Sequence, residues 1–139
     1  MRPSFLLDTN VLSEMARIRP NTRVIASIKR FEDRLCPASI VWHELVSGCI
    51  RLLESKKRSL LEDLLVNVLG PTLPILPYDD RAAKWHAQES TRHTSAEMPT
   101  SFADGQIAAI AATNNLTLIT QNVPDFNRFQ GLNVENWHG

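Results

Sequence analysis

The sequence predicts an α/β fold in which a mostly parallel central sheet of four to five strands is flanked by helices. Three observations predict it. Short apolar runs at residues 5–7, 35–38, 73–76, 116–120 and 132–134 have strand length, and segments with helical spacing separate them. The alternation runs the length of the chain with no internal repeat, linker or low-complexity tract, a pattern that gives parallel strands joined by covering helices. The chain has 139 residues, 43% hydrophobic and 22% charged, enough for one domain over residues 1–139 with its own core and no need of cross-links.

Phe5-Leu6-Leu7 is bounded by Pro3 and by the polar Asp8-Thr9-Asn10, as a buried strand ends. Val11, Leu12, Met15 and Ile18 then recur at helical spacing. Asp8 therefore stands where a strand stops and a helix begins. A second short helix is expected over residues 21–31, on the spacing of Val24, Ile25, Ile28 and Phe31. A brief strand at 35–38 follows, with Ser39 expected to cap a long amphipathic helix over 40–53. The seam Leu60, Leu61, Leu64, Leu65, Val68 and Leu69 reads as a core-facing helix ended by Gly70-Pro71. Residues 73–76 are expected to form an edge strand, because Pro74 interrupts them. Asp79-Asp80 precede a helix over 81–93, where acids complement the helix dipole. Residues 94–100 read as a loop. Ser101 opens a helix of small residues through Ala112, and residues 116–120 form the clearest strand, rich in β-branched side chains. A helical turn at 124–129, a last strand at 132–134 and a polar tail complete the chain.

Composition narrows the chemistry. Cys36 and Cys49 form no Cys-x-x-Cys pair, and His43, His86, His93 and His138 show no zinc spacing. No run approaches a membrane span and no signal peptide is evident, so the expected location is the cytoplasm. The net charge is zero but uneven. Residues 1–58 carry 11 Lys and Arg against 6 Asp and Glu, a balance of +5, while residues 59–139 carry 4 against 9, a balance of −5. The basic residues fall in two groups, one from Arg17 to Arg34 and one from Arg51 to Arg58. Such a stripe can track a phosphate backbone, or simply solvate helix faces.

Asp8, Glu44, Asp104 and Asn122 are the polar tips that recur at strand ends or helix starts. In an open α/β sheet, ligands bind outside the carboxyl ends of the strands. The competing reading is capping: Asp8 or Asn10 can cap the first helix, and Ser101-x-x-Asp104 resembles a capping box. If the parallel sheet brings these acids to one edge, two carboxylates about 4 Å apart repel by roughly 4 kcal/mol at an effective dielectric of 20. A hard divalent ion removes that conflict, and oxygen-only ligands select Mg2+ or Mn2+ over zinc.

Four blocks taken in order resemble the PIN-domain proteins of the VapC and FitB type, the toxin halves of bacterial toxin–antitoxin pairs. They are residues 6–12 around Asp8, 41–48 around Glu44, 103–109 around Asp104 and 118–126 around Asn122. The likeness covers nearly the entire chain. It implies a PIN-like three-layer sandwich and a Mg2+-dependent ribonuclease. It also implies a homodimer, an antitoxin that inserts a segment into the toxin's groove, and no membrane partner. By position, Asp8, Glu44 and Asp104 match the family's metal-binding and catalytic acids, with Thr9 and Thr120 as polar neighbours. The fourth position, often Asp in the family, is Asn122 here. Asp125 supplies a charge three residues on, or caps the helix that follows.

A haloacid-type phosphatase would want a second Asp at position 10, where this chain has Asn10, and a receiver domain would want a late Lys that is absent after Lys84. The rival reading is a catalytically silent PIN fold that binds RNA or a partner protein.

Overall fold

The structure is a computed structural model and describes residues 3–139. Four strands form one parallel sheet: β1 (Phe5–Leu7), β2 (Leu35–Pro37), β3 (Thr117–Ile119) and β4 (Asn133–Glu135), in the spatial order β2-β1-β3-β4. Leu6 lies opposite Cys36 on one side and Leu118 on the other, and Leu118 lies opposite Val134. The chain leaves central β1 toward one edge and returns on the other side as β3. The sheet therefore reverses its winding between β1 and β3, the place where such folds open a crevice at the strand ends.

Among the described residues seven α-helices connect and cover the strands: α1 (Thr9–Leu12), α2 (Thr22–Arg30), α3 (Ser39–Arg51), α4 (Lys56–Asp63), α5 (Asp80–Ser95), α6 (Phe102–Thr113) and α7 (Val123–Phe126). Leu6, Leu7, Leu118 and Ile119 are wholly buried, as expected for parallel strands covered on both faces. In α6, Gly105 and the run from Ile107 to Ala111 are all buried. Small side chains let that helix sit deep against its neighbours, α5 above all. Among the described residues no helix is long and apolar enough to cross a membrane.

Most element boundaries follow the local chemistry. Asn21 caps α2 by accepting from the Arg23 and Val24 N–H groups, Asp79 caps α5 through Ala82, and Ser101 caps α6 through Asp104. Asn115, at φ 56°, takes the left-handed conformation that ends α6.

Several expectations are corrected. The first helix is only one turn of α-helix followed by a 3-10 turn at Ser13–Ala16, so Ile18 lies outside it and is exposed. Ser39 does not cap α3. Ala38 holds that place without a side-chain bond, and the Ser39 N–H donates to the Leu76 carbonyl at 2.8 Å. Residues 73–76 make only isolated bridges, Leu69 to Leu73 and Ala38 to Leu76. Pro74 has no N–H to extend a ladder, and the sheet stops at four strands. The leucine seam is core at Leu61, Leu64 and Leu69, but its helix passes from α to π geometry at Leu64–Val68. The tail is not loose either. Trp137 stacks on Phe31 at 5.7 Å and meets Phe5 edge-on at 5.3 Å, while the His138 ring lies 3.4 Å from the Glu14 carboxylate.

Candidate active site

Asp8 ends β1 at the point where the sheet reverses, and its two oxygens do different work. Oδ1 accepts the Thr9 N–H at 2.8 Å and so caps α1. Oδ2 accepts the Thr120 hydroxyl at 2.8 Å, reaching across to the residue that follows β3, and the Asn10 amide at 3.4 Å. Thr120 is fully buried and Asp8 nearly so. The Thr120 oxygen in turn accepts the Asn122 N–H at 3.0 Å, and the Asn10 carbonyl oxygen accepts the Gln121 N–H at 3.1 Å. These bonds lock the ends of β1 and β3 together.

Glu44 comes from the first half of α3, where Val41 and Leu45 are buried and fix the helix face. Its Oε2 accepts the Thr9 hydroxyl at 2.7 Å, which brings it next to Asp8. Asp104 lies in the first turn of α6, half-buried. Burial is the first cause that raises the Asp8 pKa above its ordinary value of 3.8. Bonds from Thr120 and Thr9 oppose it, and the charges of Glu44 and Asp104 add to it. Burial also leads the rise at Asp104. A bond with Ser101 and the charge of Arg128 oppose that rise, and the charges of Asp125 and Glu44 reinforce it. The three acids thus share one field, contributed by three separate segments of the chain.

They do not form a closed cage. Among the described residues no three His, Cys, Asp or Glu side chains are grouped so as to hold an ion as they stand; neutral hydroxyls engage Asp8 and Glu44. The donor set still suits a hard divalent cation: every donor is oxygen, no thiolate or imidazole is among them, and the repulsion that adds to burial in raising two pKa values is a conflict such a cation would relieve.

Of the remaining expected residues, Thr9 and Thr120 lie in direct contact with the acids. Asn122 is exposed, and its backbone rather than its amide makes the bond to Thr120. Asp125 does not cap α7. It sits inside the first turn of that helix, exposed, with its charge felt at Asp104. Two residues are added. Asn10 bridges Asp8 and the Gln121 N–H, and its place two residues after Asp8 was the available signal. Arg128 puts a positive charge near Asp104, and nothing in its local sequence pointed there. Of the basic stripe, Arg17 and Lys57 line a hollow with Ser13 and Leu45, the residue after Glu44. Arg17 is also bonded to Glu14 at 3.0 Å, and Arg58 is engaged by Glu62 and the Leu52 carbonyl.

A parallel α/β sheet with buried acid at its switch point, joined by acids from two covering helices, defines a class of small proteins with an oxygen-lined anionic site. The PIN domain family profile matches residues 5–132, and the chain belongs to that family. It is 35% identical to Toxin FitB of Neisseria gonorrhoeae over 96% of this chain and 98% of that protein. It is 26% identical to the tRNA(fMet)-specific endonuclease VapC of Salmonella typhimurium over 96% of this chain and 97% of that one. The fold matches a chain of FitAB bound to a DNA fragment with a TM-score of 0.85 at 32% identity, covering 97% of this chain and 96% of that one.

Proposed function

We propose that the chain is a divalent-metal-dependent endoribonuclease and the toxin component of a toxin–antitoxin pair, with Asp8, Glu44 and Asp104 as the acids that hold Mg2+ or Mn2+. The observation that carries this reading is the shared field of the three acids at the switch point. It occurs in a chain similar to a protein named Toxin FitB and to one named a tRNA(fMet)-specific endonuclease. The antitoxin partner follows from the likeness to FitAB.

Hydrolysis adds water to phosphorus and breaks one P–O ester bond, leaving a phosphate end and a hydroxyl end. An ion held by Asp8, Glu44 and Asp104 would supply Lewis acidity, lowering the pKa of a water and drawing charge from a phosphoryl oxygen. Everything else falls to the chain. Thr120 and Thr9 hold Asp8 and Glu44 in fixed orientations. That preorganisation removes rearrangement from the reaction step. Arg128 offsets part of the negative field that an incoming phosphate meets. Arg17 and Lys57, beside Leu45, offer phosphate contacts further along the strand, which predicts a steep salt dependence.

The test is RNA cleavage by the purified chain freed of any antitoxin, with magnesium, with manganese and with a chelator. Cutting should need the metal, and Asp8→Asn and Asp104→Asn should each abolish it while the circular dichroism spectrum stays native. A folded Asp104→Asn variant that cuts at the wild-type rate overturns the mechanism. Metal-independent RNA binding without any cutting would favour a silent binding module.

A further inference from the structure

The ribonuclease reading leaves unexplained an aromatic ring on the rim of the site. Phe102 opens α6, two positions before Asp104, and is 66% exposed. Helix geometry places the two Cα atoms about 5.4 Å apart while turning their side chains to different sides. Phe102 thus shares the first turn of α6 with Asp104, and its ring leaves the helix on another side.

The ring is not free to move at random. Its centroid lies 4.8 Å from the ring of His86 and 6.3 Å from that of Tyr78. His86 is buried, and its Nδ1 is bonded to the Tyr78 hydroxyl at 2.8 Å. It also packs against Gly105, where any Cβ would run into the imidazole. The residue after Asp104 is therefore the seat of the aromatic stack, and the acid and the stack share one rigid mount. One side of Phe102 is backed while the rest stays open to solvent.

We infer that Phe102 is a stacking platform for an unpaired base of the RNA, next to the phosphate held at Asp8, Glu44 and Asp104. This rests on the ribonuclease reading and goes beyond it by assigning a substrate-positioning role to a residue outside the acids. A nucleobase suits the place because every base offers a π-face to an aromatic ring, whatever its sequence. Its phosphate would reach the acid site while the base stays at the rim. The face of a base is free only in a single strand, loop or bulge, since a duplex closes it into the stack. An apolar protein segment suits the place less well. Thr100, Ser101 and Asp104 beside it are polar, and of the other exposed large apolar side chains among the described residues only Met98 is near in sequence, while Ile18, Ile50, Leu53 and Val66 lie on other segments.

The experiment uses the purified chain without antitoxin, magnesium, and a single-stranded RNA oligonucleotide that the wild type cuts. Phe102→Leu keeps an apolar side chain but removes the π-face. It should raise KM about tenfold, equivalent to about 1.4 kcal/mol, with kcat within about twofold. Phe102→Tyr and Phe102→Trp should restore KM. Abasic nucleotides walked through the oligonucleotide should raise the wild-type KM at one position beside the cut, and add nothing there in Phe102→Leu. A wild-type KM in Phe102→Leu, Leu performing as well as Tyr, or an abasic penalty undiminished in Phe102→Leu overturns the platform and leaves the ribonuclease reading standing. A wild-type protein that neither cuts nor binds RNA overturns both.

Discussion

Thr120→Val isolates the bond that ties the ends of β1 and β3. The substitution keeps the shape of a fully buried side chain and removes one oxygen. That oxygen donates to Asp8 Oδ2 at 2.8 Å and accepts the Asn122 N–H at 3.0 Å. A hydrogen bond to a charged group contributes about 1.5–3 kcal/mol. The loss is expected to be about 2 kcal/mol, since Asp8 keeps the Thr9 N–H and Asn122 lies within reach of water. In a chain of this length that lowers the melting temperature by about 6–8 °C. The pH dependence adds a second check. Burial raises the Asp8 pKa above 3.8 and the Thr120 bond pulls it down, so the variant's folded-state pKa moves further up. A raised carboxyl pKa makes the fold lose stability as pH climbs from the unfolded value through the folded one. The gap between wild type and variant therefore widens over that window and narrows below pH 3.8, where Asp8 is protonated in both states. Thermal melts in chelator at pH 7 and near pH 3.5 measure it. A variant that melts within about 1 °C of wild type at pH 7, or a gap independent of pH, refutes this account of the Asp8 carboxylate.

Glu89 is buried and takes two bonds from Arg92, at 2.8 and 3.0 Å, and one from the Gln130 N–H at 2.8 Å. Arg92 is the first cause holding its pKa below 4.5, so its stabilisation is present above the unfolded value and is lost as pH falls through the lower folded one. Glu89→Gln should cost about 1.5–3 kcal/mol in urea unfolding at pH 7 and progressively less in acid; an equal cost at both pH values would contradict the ion pairing. Gly105→Ala should destabilise by about 1–3 kcal/mol through collision with His86, and pairing it with His86→Ala should cost less than the two single losses added together. Simple additivity in that pair would show that the close approach is not the cause.

The alternation of apolar runs and helical spacing made the parallel sheet legible, and Asp8, Glu44 and Asp104 were legible because each sat at a strand end or on the flank of an amphipathic helix. Register, local breaks and long-range partners were not. Residues 73–76 have strand composition, yet Pro74 leaves them with isolated bridges. Ser39 is an ordinary capping type, but Leu76 had already supplied the acceptor for its N–H. Glu14, in a segment expected to be one continuous helix, is buried among Arg17, the Asn21 N–H and His138 from the far end of the chain. Periodicity reports which face of an element is apolar. It carries no information about a partner on a distant segment, and Arg128 near Asp104 and Trp137 on Phe5 escaped for the same reason.

Capping and a place in the acid cluster looked like rival explanations of Asp8, but its two carboxylate oxygens make different bonds. Oδ1 satisfies a first-turn N–H of α1, an orphan donor that any helix start must settle. Oδ2 turns to Thr120 across the sheet. The cap therefore fixes the carboxylate plane while the second oxygen ties the end of β1 to Thr120 beyond β3. The same logic applies at α6, where Ser101 settles the Asp104 N–H at 3.1 Å and holds that residue at the helix mouth. Repulsion among the acids favours their dispersal, and the helix starts on which two of them stand oppose it, so the fold itself holds a costly arrangement of charge in place.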